Sequence, residues 1–406
     1  VSATPETIKK LVGQGHQVTV QAGAGISASI PDSAYEAAGA TIGNETSAFG
    51  ADLVLKVVAP TEAELVHMKA GAVLVANNIT LNAAGNSITN AGSISAANNL
   101  QLDAASVTNS HLLYAGNNAL VKAANVSNSG TWSANNLNVS GFNLLQNSGR
   151  IESNTATYSG NTLQNQASGV LINAATAANS LQLSVAQLTN SGTLYNNARD
   201  MSLDGNLSNS GSMIHAGTGN LLLGNNGSIN NAGGSIASAG AATMQSSIVG
   251  AGTVYAEQGM LINGSGTFTN NSQLYTKGSM QVNSALHNQG GSLLSDGNLI
   301  INTAGSVTNS GSLQGQNLNL TSGVLNNNGG TITSTGADNA QISAASLSNN
   351  GGVIQATNNN FSLITRSGEL NNSNGQIKHG GNGVLTLQSA SHLNQQSGLV
   401  QSAGKN

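Results

Sequence analysis

The chain has no cysteine, only three prolines and little charge. Without cysteine, no disulfide framework can stabilise the fold. Charged residues make up 6% of the 406 residues and the net charge is −4. Lysine and arginine do not form the clusters that binding to a phosphate backbone requires. The composition therefore predicts no nucleic-acid partner.

Long apolar stretches are also missing. No run of 18 apolar residues is present, so the sequence predicts no membrane-spanning helix. No leader pattern precedes the first helix-like segment. The chain begins at Val1 and ends at Lys405-Asn406. We therefore expect a fragment that lacks segments at both ends.

The sequence changes character near residue 75. All prolines lie before this point, and so do seven of the fifteen acids and four of the eleven bases. After it, an Asn-Ser-Gly phrase returns with Asn90, Asn109, Asn128 and Asn147 each 19 residues apart. A fixed period near 20 residues is typical of a solenoid. We therefore treat residues 1–75 and 76–406 as separate domains.

Residues 76–406 alternate apolar and polar residues, as in Leu100-Gln101-Leu102, which is the period of a strand. A 20-residue repeat cannot bury its own apolar face, whereas stacked coils can pair in parallel about 4.8 Å apart. The pattern predicts a mainly β fold: a right-handed parallel β-helix of about 16 coils of 18–22 residues, preceded by a small incomplete α/β domain.

This repeat region resembles that of filamentous haemagglutinin and contact-dependent inhibition exoproteins. The phrases that carry the resemblance include Leu207-Ser208-Asn209-Ser210-Gly211 and Asn298-Leu299-Ile300-Ile301. The resemblance implies the non-enzymatic shaft of a secreted or cell-surface adhesin exported by two-partner secretion. It also implies a monomeric rod, an outer-membrane transporter for the full-length parent, and a cell-surface receptor or glycan as partner.

Residues 1–75 have an α/β pattern. Thr4-Pro5-Glu6 has the chemistry of a helix start, and residues 17–21 alternate as a strand. Further helices are predicted at residues 32–40 and 61–69, with strands at 51–58 and 71–75. Alternating strands and helices predict one parallel, doubly wound sheet.

This segment resembles the N-terminal domain of alanine dehydrogenase and of the alpha subunit of proton-translocating NAD(P) transhydrogenase. The resemblance rests on residues 1–5, Gly23-Ala24-Gly25, residues 35–40 and residues 51–60. The family's first strand, its arginine and its dinucleotide-binding domain have no counterpart here. Gly23-x-Gly25 lacks the third glycine of a phosphate turn and predicts a tight turn instead.

Only one catalytic residue can be carried over. Lys56 aligns with the lysine that contacts the keto acid in alanine dehydrogenases, and the alternative is a strand-end lysine that reaches solvent. No cofactor-binding or metal site is predicted, and NAD(P) would apply only if the chain were a dehydrogenase fragment. Asp200 and Asp204 are the only close acids of the repeat region, and the Lys378-His379 pair is predicted to be an exposed corner.

Two interpretations of the aromatic residues remain open. Packing is the default, while an exposed row of tyrosines could stack on a glycan. The function also stays open between a structural shaft and a catalytically incomplete oxidoreductase fragment. The expected location is extracellular for the shaft and cytoplasmic for residues 1–75 under the alternative. A fusion or chimera joined near residue 75 is a third possibility, in which residues 1–75 cap the first coil.

Overall fold

The computed structural model describes residues 1–58, 60–83 and 85–404. The chain groups into two compact units, residues 1–175 (unit 1) and residues 176–406 (unit 2). The fold is mostly β: a parallel β-solenoid of about 19 turns over the described residues, preceded by a small α/β region. The predicted fold class is confirmed.

The helices of unit 1 begin where the sequence supplies caps. The Thr4 side chain accepts from the Thr7 N–H at the start of α1, and Thr61 and Glu64 form a reciprocal capping box at α4. The helices are α1 Pro5–Gly13, α2 Asp32–Ala37, α3 Glu45–Phe49 and α4 Glu62–Leu65, with a 3₁₀ turn at Ile26–Ala28. Over the described residues, no helix has the length and apolar character needed to cross a membrane.

The beginning of unit 1 has a small core of its own. Ile8, Tyr35 and Ala40 are buried together, and the Tyr35 hydroxyl donates to the Ala3 carbonyl at 3.1 Å. Strands β1 (Thr19–Gln21) and β2 (Thr41–Gly43) pair in parallel as a separate two-stranded sheet. The prediction of one doubly wound sheet is therefore wrong for the described residues, because β3 (Leu53–Leu55) pairs with the solenoid instead.

The remaining strands of unit 1 form the first coils of the solenoid. They are β4 Val73–Asn82, β5 Ser87–Asn90, β6 Ser93–Asn109, β7 Leu112–Asn128, β8 Thr131–Asn147, β9 Arg150–Asn165 and β10 Val170–Asn173. Parallel pairing continues in register from Val73 to Ser93 and on to Leu112. Alternate residues point inward, and the large buried side chains include Trp132, Phe142 and Leu145.

Strand β4 runs through the position of the domain boundary that the sequence predicts. Its first three residues, Val73–Val75, pair on one side with Leu53–Leu55 of β3. On the other side they pair with residues 93–95 of β6. These first rungs precede the first asparagine marker, Asn90. This explains why counting asparagines gives about 16 coils, whereas the structure has about 19 turns.

Unit 2 consists of short strands, mostly of four residues, that continue the same repeat. They are, as β11 to β40, Leu181–Asn190, Thr193–Asn196, Met201–Leu203, Asn206–Asn209, Ser212–His215, Asn220–Leu223, Ile229–Asn230, Ser235–Ser238, Ala241–Met244, Ile248–Val249, Thr253–Ala256, Gly259–Ile262, Thr267–Asn270, Gln273–Thr276, Ser279–Val282, Ala285–Asn288, Ser292–Ser295, Leu299–Asn302, Val307–Asn309, Ser312–Gly315, Leu318–Asn326, Thr331–Ser334, Ala340–Ser348, Val353–Ala356, Phe361–Thr365, Leu370–Asn371, Gln376–His379, Leu385–Gln388, Leu393–Asn394 and Leu399–Ser402.

Aliphatic columns form the core of unit 2. Leu194, Met213, Ile236 and Val254 occupy equivalent positions in successive coils and are all buried. The alternation of the sequence sends every second side chain into this core. The residues that follow them on the outer side are only partly exposed, and one repeated pattern of burial specifies each coil; they are Tyr195, Ile214, Ala237 and Tyr255.

Candidate functional site

A ladder of buried asparagines stabilises the turns of both units. In unit 1 the Asn90 side-chain amide donates to the Asn109 carboxamide oxygen at 2.7 Å, and Asn109 donates to Asn128 at 2.7 Å. Asn128 then donates to Asn147 at 2.8 Å, and Asn147 to Asn165 at 2.9 Å. Each amide also reaches main-chain carbonyls, as from Asn128 to Gly130 at 3.1 Å.

Unit 2 has two such runs. Asn190, Asn209 and Asn231 form the first, and Asn270, Asn288, Asn309, Asn327, Asn349 and Asn372 form the second, with nitrogen-to-oxygen distances of 2.7–2.8 Å. The two runs are separated at Gly250. Because Ile248 and Val249 pair with Ile229 and Asn230, Gly250 lies one coil after Asn231, where the ladder would otherwise continue.

Lys56 does not reach solvent freely. Its ammonium lies 2.7 Å from both carboxylate oxygens of Glu64 and 5.0 Å from the centre of the Phe49 ring. The Lys56 and Glu64 side chains are 21% and 15% exposed. The Thr61 N–H also donates to the Glu64 carboxylate at 2.6 Å. Lys56 thus connects the end of β3 to α4, and the solvent-facing interpretation is wrong.

The Glu64 carboxyl responds to this environment. Burial acts to raise its pKa, but the hydrogen bonds from Lys56 and from the Thr61 main chain outweigh burial and leave the pKa lowered. Glu64 is therefore a charged partner for Lys56. An ammonium held in this way is a structural contact, and a keto acid would have to compete with Glu64 for it.

The glycine pair at residues 23–25 forms a turn that is closed by the protein itself. The Gly23 N–H lies 3.0 and 3.1 Å from the two carboxylate oxygens of Asp32, and Gly23 has a φ of +79°. A side chain at Gly25 would meet the Ile30 carbonyl. The main-chain amide that a phosphate would use is already hydrogen-bonded to a carboxylate.

The acids of the repeat region are not assembled into a reaction centre. Asp200 pairs with Arg199 at 2.7 Å and accepts from the Asn220 N–H at 2.9 Å, whereas Asp204 accepts from Ser202 at 2.7 Å. The Asn220 main chain and then Arg199 lower the pKa of Asp200. Within the described residues, no three His, Asp or Glu side chains are grouped as metal ligands.

Two histidines have positions that sequence reasoning missed. His379 is buried rather than an exposed corner, with Nε2 2.9 Å from the Asn358 carbonyl and Nδ1 3.3 Å from the Ser402 hydroxyl. His215 is fully buried, and its Nδ1 lies 3.2 Å from the Asn196 amide nitrogen. Each histidine is the last residue of a strand in which every second side chain points inward. This alternation, read from the sequence, could have identified both histidines as buried.

Some aromatic residues pack in the core, whereas two tyrosines lie on the outer face. Trp132, Phe142, Tyr158, Phe268 and Phe361 are buried in the core. Tyr255 and Tyr275 lie opposite each other on the outer face of adjacent coils, with ring centres 5.5 Å apart. Their hydroxyls donate to Glu257 and Asp296, and Lys277 lies 2.8 Å from Glu257. This outer pair has its polar groups already satisfied by neighbours.

Comparison with known proteins covers the N-terminal portion of the chain. Residues 1–109 match the family described as alanine dehydrogenase/PNT, N-terminal domain. The NAD(P) transhydrogenase alpha subunit of Haemophilus influenzae is 43% identical over 75 residues, covering 18% of this chain and 15% of that protein. Alanine dehydrogenase 1 of Staphylococcus aureus is 42% identical over 69 residues, covering 17% and 18% of the two chains.

Two further relatives match the same portion. An NAD(P) transhydrogenase subunit alpha polypeptide of Rhodospirillum rubrum is 46% identical over 82 residues, 18% of this chain and 21% of that protein. The crystal structure of transhydrogenase from Sinorhizobium meliloti matches at 43% identity over 19% of this chain and 22% of that one, with a TM-score of 0.19. The chain thus spans about a fifth or less of each relative.

The predicted resemblance of the N-terminal segment is confirmed, and it extends to residue 109, which is inside the solenoid. The resemblance of residues 76–406 to haemagglutinin repeats stays a prediction.

Proposed function

We propose that this protein is the structural shaft of a secreted or cell-surface adhesin or contact-dependent inhibition exoprotein, without catalytic activity of its own. The observation that carries the proposal is the buried asparagine ladder. Within each run of the ladder, hydrogen bonds of 2.7–2.9 Å join one coil to the next, in parallel with the main-chain pairing. Such a repeat resists bending and separation of its coils, as a carrier of distal binding modules must.

Pulling on single molecules tests the mechanical role. The chain has no cysteine, so cysteines introduced at Ser202 and Ser362 give unique handles inside unit 2. We expect high-force unfolding in steps whose lengths correspond to whole coils, because each coil is held mainly by its neighbours. Unfolding of this unit at low force in a single step would contradict the mechanical role.

The location and the partner require a separate experiment. An antibody against unit 2 is expected to label intact cells of the source organism and to lose that signal when an outer-membrane two-partner transporter is deleted. Signal found only after lysis would contradict export. A cell-surface receptor or glycan remains the proposed partner of the full-length parent.

The alternative is an oxidoreductase fragment, which the match to residues 1–109 favours. Hydride transfer needs a nicotinamide held against its acceptor. The matched relatives extend far beyond the aligned segment, and Lys56 here is paired with Glu64. Titration with NAD(H) separates the two proposals, since micromolar affinity would support the oxidoreductase and contradict a purely structural role.

The N-terminal segment has a place in the shaft proposal. Because β3 pairs with β4, the α/β region covers the first coil and protects an edge that would otherwise be exposed. A DNA read across the codons for residues 60–90 tests whether both segments belong to one gene. Two separate longer genes would leave each segment with its own family's function.

A further inference from the structure

A cavity lies where the α/β region covers the first coil. Leu65 at the end of α4 and residues 68–72 form one side, and residues 80–83 and 86–94 form the other. Its volume is about 640 Å³. Cavities of roughly 300–1,000 Å³ are typical of sites for small organic molecules. The cavity lies wholly within unit 1 and does not include Lys56.

Apolar atoms contribute slightly more than half of the wall of this cavity. Leu65 and Met68 contribute from the covering segment, and Leu74, Leu81 and Ile88 from the coil. Such a surface favours an apolar body, because it removes hydrocarbon from water.

One cationic side chain borders the same space. Lys69 lines the cavity, but its ammonium is paired with Asp52 at 2.9 Å, on an exposed surface. The cavity therefore offers no unpaired charge from Lys69, which argues against an ionic ligand.

Two of the polar residues that line the cavity, Asn90 and Ser93, are buried. Asn90 is 5% exposed and lines the cavity. Its amide nitrogen donates to the Asn109 oxygen at 2.7 Å and to the Leu112 carbonyl at 2.8 Å. Its carboxamide oxygen receives no hydrogen bond from the residues that the structure describes.

The position of Asn90 in the ladder explains this open acceptor. The oxygens of Asn109 and Asn128 each accept from the asparagine one coil earlier. Asn90 is the first rung: the register of Val73 with Ser93 places Ala70, which has no side-chain donor, at the equivalent position one coil earlier. The Asn90 oxygen is therefore an acceptor at the cavity wall, and it gains a hydrogen bond when a donor reaches it.

We infer that the cavity binds a small, uncharged, mainly apolar molecule that carries one N–H or O–H donor. The apolar body packs against Leu81, Ile88 and Met68, while the donor bonds the Asn90 oxygen. This site is independent of the shaft proposal, and binding would fasten the α/β region to the first coil. A bound water could satisfy Asn90 as well, and the experiment distinguishes the two.

Indole and benzofuran form a matched pair of probes. They have nearly the same shape, but only indole has an N–H donor. In ligand-observed NMR titrations of the full chain, indole is expected to bind saturably and about tenfold more tightly than benzofuran. Equal affinities would overturn the role of Asn90, and the lack of saturable indole binding would assign the space to water.

Variants with a larger side chain in the cavity test whether indole binds there. Ile88→Trp occupies the site and is expected to abolish indole binding, while Val324→Trp on an exposed strand position of unit 2 leaves it unchanged. If Ile88→Trp fails to fold, as judged by circular dichroism, Met68→Trp fills the space from the covering segment. Indole binding that survives in folded cavity-filling variants would overturn the assignment.

Discussion

Residues 1–72 and residues 73–175, both in unit 1, are stabilised by contacts at different distances along the chain. The first segment has helices of four to nine residues and contacts at irregular separations, from Thr61 with Glu64, three residues apart, to Tyr35 with Ala3, 32 residues apart. The second has strands of up to 17 residues, and its ladder connects asparagines 18 or 19 residues apart.

This difference determines how far damage spreads. Loss of one local contact in residues 1–72 releases a single helix or turn. Loss of one ladder asparagine leaves the asparagine of the preceding coil without its side-chain acceptor. It also leaves the asparagine of the following coil without its side-chain donor. The solenoid should therefore be more sensitive to one buried polar substitution than the α/β region is to the loss of an ion pair.

The largest effect is expected from Asn128→Ala. The substitution leaves the buried Asn147 oxygen without its donor and removes the side-chain acceptor of the Asn109 amide, which still reaches the Thr131 carbonyl at 3.2 Å. At about 1–3 kcal/mol for the unsatisfied oxygen and about 1 kcal/mol for the lost hydrogen bond, we expect a loss of about 2–4 kcal/mol. Hydrogen exchange of the amides in residues 106–131 measures the opening free energy of these coils.

Asn138→Ala is the matched control for this variant. Asn138 lies on the exposed face of the next strand, β8, so its loss should change the opening free energy by less than about 0.5 kcal/mol. Similar effects of the two substitutions would mean that the ladder contributes nothing beyond the strand pairing.

The next largest loss of stability is expected from a substitution at Gly250, where the ladder of unit 2 is interrupted. Gly250 occupies the place of a ladder asparagine, but its φ is +89° and a side chain there would meet the Ala232 backbone within 2.6 Å. Gly250→Asn should therefore destabilise unit 2 by about 1–3 kcal/mol instead of completing the ladder. Thermal unfolding followed by circular dichroism measures the change.

Gly266→Asn serves as the comparison for Gly250→Asn. Its added side chain meets open space, and its φ is not positive, so little change is expected. A Gly250→Asn variant that is more stable than the parent would show that the backbone can relax and that the ladder dominates local strain.

A smaller effect is expected from Lys56→Met in the α/β region. The pair with Glu64 is mostly shielded from solvent, so its loss should cost about 1–2 kcal/mol, less than a fully buried pair. Lys69→Met removes an exposed pair with Asp52 and should cost less than about 0.5 kcal/mol. Hydrogen exchange of residues 53–75 compares the two variants.

The Glu64 pair also predicts a dependence on pH. The folded pKa of Glu64 is lowered, so its contribution is present above the unfolded pKa near 4.5 and is lost as the pH falls through the folded pKa. The Lys56→Met variant should lose part of this acid sensitivity of residues 53–75, because the hydrogen bonds from Thr61 to Glu64 remain. An unchanged acid response would indicate that the Thr61 hydrogen bonds alone set the pKa of Glu64.

The repeat allowed most of the solenoid to be predicted from the sequence. Alternation at Leu100-Gln101-Leu102 fixes which side chains are inside, and the spacing of Asn90 and Asn109 fixes the coil length. The helix at residues 5–13 was predictable from Thr4 and Pro5, because capping is a local property.

Contacts between distant residues could not be predicted in the same way. The pairing of Leu53–Leu55 with Val73–Val75 depends on which sheet offers a free edge, and no local pattern records that. The partner of Lys56 was missed because a capping glutamate was not considered as its counter-ion. The cavity beside Asn90 arises from the way that two segments meet, which the repeat itself does not encode.

The smallest effect concerns the buried His215. Burial lowers its pKa, although Asp200 and the Arg199 main chain act in the opposite direction. The unfolded chain therefore takes up a proton more readily, and the stability of unit 2 should fall as the pH decreases below about 6.5. Thermal unfolding of the parent and of His215→Gln between pH 7.5 and 5.5 measures this contribution.

In the His215→Gln variant, thermal stability should fall less as the pH decreases, because protonation of His215 no longer contributes. The neutral glutamine side chain can still accept from the Asn196 amide, which approaches Nδ1 at 3.2 Å in the parent. His287→Gln is the control, since His287 lies on the outer, partly exposed side of its strand. An identical acid response in all three proteins would place the titrating group elsewhere, and a steeper response in His215→Gln would mean that the histidine is charged when folded.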